Sequence, residues 1–412
     1  MKFRVTVFIL LFSVAYASAQ RCGTEEYLMR NTNDLTESLL TPLTASSGRD
    51  TLKNEVIVIP VVVHLLFNNN TQNISDAQVL SQIDALNKDY RRLNADADET
   101  PIPFQNVAAD TRIVFCLAKV DPNGRYTSGI IRKYTKEQFW LSDDEMKFSS
   151  KGGDDSWNSK KYLNIWVCNL FGRTLGYSVL PGGPADKDGV VIQYDVFGTT
   201  GTLNAQFNKG RTATHEIGHW LGLKHLWGDA SCGNDGISDT PPQQSNNSYC
   251  PSFPRTSSCS INSFGDMFMN YMDFTDDACM NLFTAGQKNV MRGLFASGNA
   301  RNSFLTSNVC DSSQAQAGPL PVDTSQYKVS ITVYPNPFTN EIIIKSENSG
   351  DLIGKKIKLY DVTGKLFVTQ ILQSQKTIIP LSQLPGGIYF IKIEGTKISG
   401  VYKVVKQNNY SK

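Results

Sequence analysis

The chain has 412 residues, of which 40% are hydrophobic and 19% charged, and its formal net charge is +2. Its length suits one large domain plus a smaller one, or two to three domains of middle size. The near balance of charge excludes the basic excess typical of proteins that bind nucleic acids, and it also excludes an acidic tail. We therefore expect no nucleic acid partner.

The beginning of the chain predicts a secretory signal peptide. Two basic residues among the first four precede an apolar run over residues 5–17, which ends in Ala17-Ser18-Ala19. Cleavage is expected after Ala19, and neither this run nor any later stretch is long enough to span a membrane. The eight cysteines would then enter an oxidising compartment, in which disulfides persist. The expected location is extracellular, either released or attached to the cell surface.

The following segments predict a polar arm and then an α/β arrangement. Residues 20–54 are polar without a clear period, which is typical of a pro-segment or a loose arm. Residues 55–67 form a β-branched run of strand type, and residues 76–94 carry apolar side chains at helical spacing after a Ser75 cap. Further strands are expected at residues 111–120, 162–170 and 189–194, and a helix is expected to begin near Arg211.

The C-terminal quarter has a different composition. Residues 311–329 are rich in Ser, Gln, Ala, Gly and Pro, which is linker composition. Residues 330–412 give short alternating strands separated by Asn-Pro, Thr-Gly and Gly-Gly turns, which predict a small all-β, immunoglobulin-like sandwich. The main domain is therefore expected over residues 55–310.

Three of the four histidines mark a metal site in the segment HEIGHWLGLKH. On a helix, His215 and His219 stand one turn apart on the same face, so both imidazoles can bind one ion. Glu216 lies beside them, where it can accept a proton from a metal-bound water. A left-handed Gly222 would bend the chain and bring His225 back as a third ligand. Three ligands leave a fourth position open, as in catalytic zinc sites.

The fourth histidine, His64, lies in a predicted hydrophobic strand. We interpret it as a core histidine that is hydrogen-bonded to the backbone. The predicted strand over residues 162–170 offers an edge to an extended peptide, and Gly182-Gly183 is expected to form another wall of the cleft.

Downstream of the histidines, the segment Asn270-Tyr271-Met272-Asp273 completes a pattern that resembles the pappalysin family of the metzincin clan. The resemblance covers residues 55–310 and implies an α+β catalytic domain with a twisted mixed sheet and an active-site helix. It gives Met272 the role of the Met-turn methionine beneath the zinc. It also implies a secreted endopeptidase with one catalytic Zn²⁺, acting on protein or peptide substrates.

Four of the eight cysteines lie in a segment dense in Gly, Asn, Ser and Pro, where disulfide crosslinks are the expected source of order. They are Cys232, Cys250, Cys259 and Cys279. The spacing alone leaves three pairings open. The resemblance implies the crossed pairing, Cys232 with Cys259 and Cys250 with Cys279.

The resemblance also gives roles to acidic residues in this segment. Asp235, Asp239 and Thr240 are candidate ligands of a structural Ca²⁺, since similar enzymes bind calcium in this loop. The alternative for this loop is a plain Asx-rich turn. Asp277 matches the acid that lines the pocket beyond the scissile bond, which implies cleavage before arginine. An exposed turn carboxylate is the alternative for Asp277.

One position departs from the pattern of some metzincins. Where they carry a tyrosine that assists the oxyanion, two residues after the Met-turn methionine, this chain has Phe274. A phenyl ring has no donor, so we expect that role to be absent or to be filled by Tyr271 or by the backbone.

Cys22, just behind the predicted cleavage site, resembles a cysteine switch, in which a thiolate occupies the open zinc position of a zymogen. The alternative is a disulfide from Cys22 to Cys116, Cys168 or Cys310. If the enzyme selects arginine, it should release its own pro-segment by cutting before Arg49, the arginine between the polar arm and the first strand.

Motifs at residues 333–338, 359–365 and 384–389 resemble, in this order, the C-terminal sorting domain of the Por secretion system. Such domains guide cargo across a bacterial outer membrane, so the implied partner is the outer-membrane Por secretion machinery. The alternative is a carbohydrate-binding or adhesive β-sandwich.

Two other functions compete with peptidase activity. One is a zinc-bearing adhesin without turnover, against which the intact Glu216 argues. The other is a hydrolase of a non-peptide amide, which uses the same chemistry and would be distinguished by a protein digest.

Overall fold

The computed structural model describes residues 21–30, 52, 55–260, 264–316, 331–346, 355–372, 374, 376–394 and 400–407. The predicted signal peptide, Arg49 and most of the predicted linker lie outside these residues. Among the residues described, no helix is long and apolar enough to cross a membrane.

The first sheet is mixed. It contains β1 (Ile57–Phe67), β2 (Ile113–Leu117), β3 (Ile130–Tyr134), β4 (Leu163–Cys168), β5 (Gly176–Ser178) and β6 (Gly189–Gln193). The strand order is β2-β1-β4-β6-β5, and β3 also pairs with β1. All pairs are parallel except β5, which runs antiparallel to β6. This arrangement confirms the expected mixed sheet.

The helices of the described catalytic region are α1 (Thr24–Arg30), α2 (Asp76–Tyr90), α3 (Ile102–Gln105), α4 (Arg211–Trp220) and α5 (Ala285–Gly293). Helix α2 is capped at its N-terminus by Ser75, whose hydroxyl accepts the Gln78 amide at 3.1 Å, as expected. Its apolar stripe packs into the main core on one face of the sheet, although Leu80 is exposed. Helix α4 packs beside α2 over the same face.

One expectation about this domain is wrong. Strand β4, expected to offer an edge to a peptide, lies inside the sheet between β1 and β6; the free edge belongs to β5. The segment around Thr24–Arg30, expected to belong to a pro-segment or a loose arm, contains helix α1, and its Tyr27 is buried, which contradicts only the loose arm. Seven residues are too few to show an apolar period, so tertiary contacts decide this helix.

His64 is fully buried, as predicted, but its partners are side chains rather than backbone. Its Nδ1 lies 2.6 Å from a carboxylate oxygen of Asp154, and its Nε2 lies 3.0 Å from Oδ1 of Asn164. The ring also stacks on Trp166 at 5.1 Å. His64 therefore contributes to the core and not to a metal site.

The C-terminal strands form two antiparallel sheets that share one hydrophobic core. The strands are β7 (Ile331–Tyr334), β8 (Glu341–Ser346), β9 (Lys356–Asp361), β10 (Leu366–Ile371), β11 (Lys376–Pro380), β12 (Gly387–Glu394) and β13 (Gly400–Lys406). Their orders are β10-β9-β12-β13 and β11-β8-β7. This region is all-β, as expected.

Candidate metal centre

Each histidine of the motif is oriented by a hydrogen bond from its Nδ1. His215 contacts the carbonyl of Tyr271 at 2.7 Å, His219 contacts the carbonyl of Leu223 at 2.8 Å, and His225 contacts the carboxylate of Asp229. Since these partners are acceptors, each Nδ1 must donate, and each neutral ring keeps its lone pair on Nε2.

The three Nε2 atoms converge on one point. The Nε2 of His219 lies 3.1 Å from that of His215 and 3.0 Å from that of His225. Unprotonated nitrogens at this distance repel one another unless a cation lies between them, and three imidazoles suit zinc. Burial lowers the pKa of His215 well below its usual range and that of His219 to about 3, which favours the neutral form that binds metal.

The turn after α4 brings the third histidine to this point. Gly222 has φ +84°, the left-handed conformation that the sequence predicted for it. The amide of Leu223 donates to the carbonyl of Gly218 at 3.0 Å, which closes the end of the helix. A Cβ at Gly218 would lie 2.5 Å from the sulfur of Met272, so a glycine is required where the methionine packs beneath the helix.

Aromatic rings enclose the histidines. His225 stacks on Trp227 at 4.5 Å, and the edge of Phe274 approaches both His225 and His215, at 4.8 and 5.7 Å. Tyr271 does not supply the hydroxyl that Phe274 lacks, because its own hydroxyl donates to buried Asp89 at 2.9 Å.

Glu216 is fully buried beside the histidines, with one carboxylate oxygen 3.0 Å from the Thr24 hydroxyl and 3.5 Å from the Cys22 sulfur. Burial raises the pKa of Glu216 to about 8. A Cβ at Gly176 would lie 2.9 Å from Cγ of Glu216, so strand β5 approaches this side chain closely only because Gly176 has none.

Cys22 joins the histidines. Its sulfur and one nitrogen of each of the three histidines all lie within 4.8 Å of one another, and within the described part of the chain no other group of this kind is found. Cys22 is a free thiol, and Cys116 pairs with Cys310. Cys168 remains as a buried free thiol. Cys22 thus supplies a fourth donor to the cluster.

Asp277 is also buried, which excludes an exposed turn carboxylate. Its Oδ1 lies 2.7 Å from a guanidinium nitrogen of Arg21, and a second nitrogen of Arg21 donates to the carbonyl of Thr275. Its Oδ2 accepts the amides of Lys209 and Arg211 at 2.8 and 3.1 Å. The backbone amides near the start of α4 therefore bind Oδ2 of this carboxylate, and Oδ1 is left to pair with a guanidinium.

Two family models match the chain: pregnancy-associated plasma protein-A over residues 148–296, and a secretion system C-terminal sorting domain over residues 332–407. An extracellular metalloprotease of Verticillium alfalfae is 30% identical over 294 residues, which cover 68% of this chain and 91% of that protein.

Solved structures of a Tannerella forsythia peptidase are also similar. Mature mirolysin in complex with a cleaved peptide is 50% identical, with a TM-score of 0.60, over 61% of this chain and 97% of the other. A mutant of promirolysin is 46% identical, with a TM-score of 0.63, over 69% of this chain and 96% of the other. The chain belongs to the pappalysin family. It is an extracellular zinc metalloendopeptidase with a C-terminal secretion sorting domain.

The disulfides of this pappalysin follow the crossed pairing that the resemblance implied: Cys232 is bonded to Cys259, and Cys250 to Cys279. The second bond joins the loop to the residues that follow the Met-turn. Asp273 strengthens this connection, since its buried carboxylate accepts hydrogen bonds from Gln243 and Asn247.

The candidate calcium ligands lie near one another in sequence but serve different contacts in this pappalysin. The carboxylate of Asp235 accepts the Thr240 hydroxyl at 2.8 Å and the Ile237 amide at 3.0 Å. The carboxylate of Asp239 instead accepts the Thr284 hydroxyl and the Gly286 amide, both at 2.7 Å, at the start of α5. Burial raises the pKa of Asp235 to about 6.

Three residues of the site were missed from the sequence. Asp229 follows His225 by four residues, a spacing that could have indicated its role in orienting the ring. Arg21 and Thr24 flank Cys22, and only the contacts of the folded chain reveal that they reach Asp277 and Glu216.

Proposed function

We propose that this pappalysin hydrolyses internal peptide bonds of proteins with His215, His219 and His225 holding a single zinc ion and Glu216 transferring the proton. The observation that carries the proposal is the convergence of three Nε2 lone pairs beside a buried carboxylate. When bound, zinc supplies Lewis acidity, which polarises a carbonyl and acidifies water.

The chain's own groups account for the other requirements. Glu216 accepts a proton from the attacking water and delivers it to the leaving amine, as a general base and then a general acid. The edge of β5 orients an extended peptide, since its Gly176 carbonyl and Ser178 amide already bond segment 21–30.

The same site favours arginine immediately after the scissile bond. The support is the contact between Arg21 and Asp277: a buried guanidinium fills the pocket, and a planar fork suits the carboxylate and the Thr275 carbonyl together. Both partners are at most 1% exposed, so solvent screens the pair little.

Residues 20–54 act as a pro-segment that keeps the enzyme latent. Cys22 lies where a fourth zinc ligand belongs, and Arg21 occupies the arginine pocket, so both sites are blocked. The larger share of this chain covered by promirolysin than by mature mirolysin supports this role. Cutting before Arg49 would release the segment, because no disulfide tethers Cys22 to the described residues.

The remaining proposals concern the rest of the chain. The chain is divided into a catalytic domain at residues 55–310, a linker at 311–329 and an immunoglobulin-like sorting domain at 330–412, which the Por machinery recognises. A structural Ca²⁺ binds the loop of Asp235, Asp239 and Thr240, where burial raises the pKa of the Asp235 carboxyl and its carboxylate oxygens accept the Thr240 hydroxyl.

A casein digest tests the function directly. The processed protein should cut casein, and a zinc chelator should abolish the cutting. Glu216→Ala should keep zinc but lose roughly 10²- to 10⁴-fold in rate, the scale of general-base removal. Glu145→Ala, which removes an exposed carboxylate paired with Lys151, should match the parent. Casein cleavage by Glu216→Ala at the parental rate would contradict the mechanism, and an inactive parent would favour a non-peptide amide as substrate.

A further inference from the structure

Segment 21–30 contacts both faces of the first sheet by crossing its edge at β5. Successive residues of a strand point to opposite faces. Gly176 faces Glu216 and the metal centre, whereas Tyr177 points into a separate core on the other face. Tyr27 belongs to that second core. The segment therefore blocks the metal centre from one face and inserts an aromatic anchor into the other.

The anchor is held by its ring and by its hydroxyl. Tyr27 is only 4% exposed, and its hydroxyl donates to Oδ2 of Asp144 at 2.7 Å. Its ring lies 5.1 Å from that of Tyr177 at an angle of 30°. The ammonium group of Lys147 lies 5.7 Å from the centre of the Tyr27 ring.

The catalytic domain builds this pocket from its own residues. Asp144 and Lys147, both at most 1% exposed, form an ion pair at 2.7 Å. The Tyr177 hydroxyl donates to Oδ1 of Asp144 at 3.1 Å, and Lys147 also donates to the Lys187 carbonyl at 2.8 Å. Asp144 has φ +69°, a conformation that costs a non-glycine residue free energy and that its contacts must maintain. These contacts leave Oδ2 directed at the phenol, with the Lys187 ammonium 3.9 Å from the same oxygen.

This chemistry distinguishes tyrosine from other aromatic residues. A purely apolar pocket would accept phenylalanine equally well. Here a buried carboxylate oxygen would lose its hydrogen-bond donor if the hydroxyl were absent, because the Lys187 ammonium at 3.9 Å lies beyond hydrogen-bond distance. Charge-assisted hydrogen bonds are stronger than neutral ones. Because the pocket lies on the face opposite the histidines, its binding strength should not depend on zinc.

We propose that the Tyr27 pocket, lined by Asp144, Lys147 and Tyr177, is a second peptide-binding site, selective for a phenolic side chain and independent of the metal. Its ligand is segment 21–30, which rebinds the catalytic domain in trans after it has been cut away. This inference rests on the proposed role of residues 20–54 as a pro-segment. The released segment is then a reversible inhibitor whose binding includes the contact of Tyr27 with a pocket remote from the active site.

The test uses the processed enzyme and synthetic peptides of residues 21–30 that carry a fluorophore at the C-terminus, beyond the exposed Arg30. Fluorescence anisotropy gives the affinity with zinc present and after treatment with 1,10-phenanthroline. Tyr27→Phe in the peptide should weaken binding roughly 10- to 100-fold under both conditions, the value of one hydrogen bond to a charged group. Met29→Ala, a change of an exposed side chain on the same helix, should bind like the parent. Since only the peptide changes, misfolding of the enzyme cannot explain a difference.

Equal affinities of the parent and Tyr27→Phe peptides would overturn the proposed selectivity of the pocket for a phenolic side chain. Loss of all binding on chelation would overturn the claim that the pocket binds independently of zinc. Anisotropy needs no turnover, so an enzyme without peptidase activity would contradict the proposed function while leaving this readout intact.

A second measurement uses the uncut chain carrying Glu216→Ala. After zinc removal, iodoacetamide should alkylate Cys22 at least about tenfold faster in Tyr27→Phe than in its parent, since each tenfold corresponds to about 1.4 kcal/mol of anchoring. Equal rates would also overturn the proposal.

Discussion

The histidine cluster and the pair of Asp277 with Arg21 lie at opposite ends of helix α4, yet they are assembled differently. The three histidines are contained in eleven consecutive residues, and the helix plus one left-handed glycine brings them together. Asp277 is joined to Arg21 across a separation of 256 residues. Its carboxylate also accepts the backbone amides of Lys209 and Arg211, and its carbonyl accepts the Arg211 guanidinium. The candidate metal centre is thus a local property of the chain, whereas the proposed selectivity and latency depend on its tertiary structure.

The largest expected effect on activity would come from removing a histidine of the cluster. His219→Ala removes the imidazole whose Nε2 lies within 3.1 Å of both other Nε2 atoms, so zinc and casein cleavage should both be lost. Metal content by mass spectrometry and the digest measure this. His64→Gln is the matched control, because it removes the one histidine outside the motif. It should retain zinc, and full zinc loading of His219→Ala would contradict the ligand assignment.

The long-range part should respond with a change of selectivity rather than a loss of chemistry. Asp277→Asn keeps an acceptor for the amides of Lys209 and Arg211 but removes the charge that faces arginine. The preference for arginine over leucine after the scissile bond should fall roughly 30- to 1000-fold, the effect of losing one partner of a buried ion pair.

Paired peptides that differ only at this position give kcat/KM for the comparison. Asp276→Asn changes the adjacent carboxylate, which is not paired with Arg21, and should preserve the preference. If Asp277→Asn kept the arginine preference of the parent, the pocket would have been assigned to the wrong residue.

The same contrast explains what the sequence could predict. The zinc ligands, Glu216 and the bend at Gly222 follow from spacing, because helical geometry converts intervals of four residues into a shared face. Strand β1 follows from its β-branched run, and helix α2 follows from its hydrophobic period and from the Ser75 cap. The disulfide pairing and the proposed role of Asp277 came from family resemblance and not from spacing.

What could not be predicted depends on contacts between distant residues. Strand β5 has three residues, too few for a period, and its position at the sheet edge follows from pairing with β6. Helix α1 is stabilised by Tyr27 in a pocket more than a hundred residues away. The interior position of β4 was likewise hidden, since a buried parallel strand and an edge strand can share one apolar pattern.

The latency of the uncut chain allows two contributions to be compared, that of Cys22 at the metal centre and that of Arg21 in the pocket of Asp277. In a chain held uncut by Arg49→Ala, Cys22→Ser removes the fourth donor while Arg21 still fills its pocket. Residual peptidase activity should rise about tenfold or more, because each tenfold corresponds to only about 1.4 kcal/mol. Arg21→Ala opens the pocket but keeps the thiol at the metal.

A fluorogenic peptide measures both variants, and N-terminal sequencing of the processed parent should begin at Arg49. If the residual peptidase activity of the uncut Cys22→Ser chain equals that of the uncut parent, then Cys22 is not the group that blocks the metal.

The smallest expected effect concerns calcium and separates two neighbouring aspartates. Burial raises the pKa of Asp235 from an unfolded value near 3.9 to about 6. The folded state therefore holds the proton more tightly, so this group favours folding below pH 4 and loses that contribution as the pH rises through 6. A cation that binds the ionised carboxylate would offset the loss, which means that calcium should stabilise the protein more at pH 7.5 than at pH 5.

At one hundred times its dissociation constant, calcium adds about 2.7 kcal/mol, which corresponds to a rise in Tm of roughly 5 to 10 °C for a domain of this size. Asp235→Asn should abolish this rise. Asp239→Asn should lower Tm even in calcium-free buffer, because the Asp239 carboxylate also caps helix α5 through Thr284 and Gly286. Calorimetry at both pH values measures all three proteins in zinc-containing buffer. An equal Tm with and without calcium in the parent at pH 7.5 would reduce the loop to an Asx-rich turn whose stability comes from the Asp235 and Thr240 contact and the crossed disulfides alone.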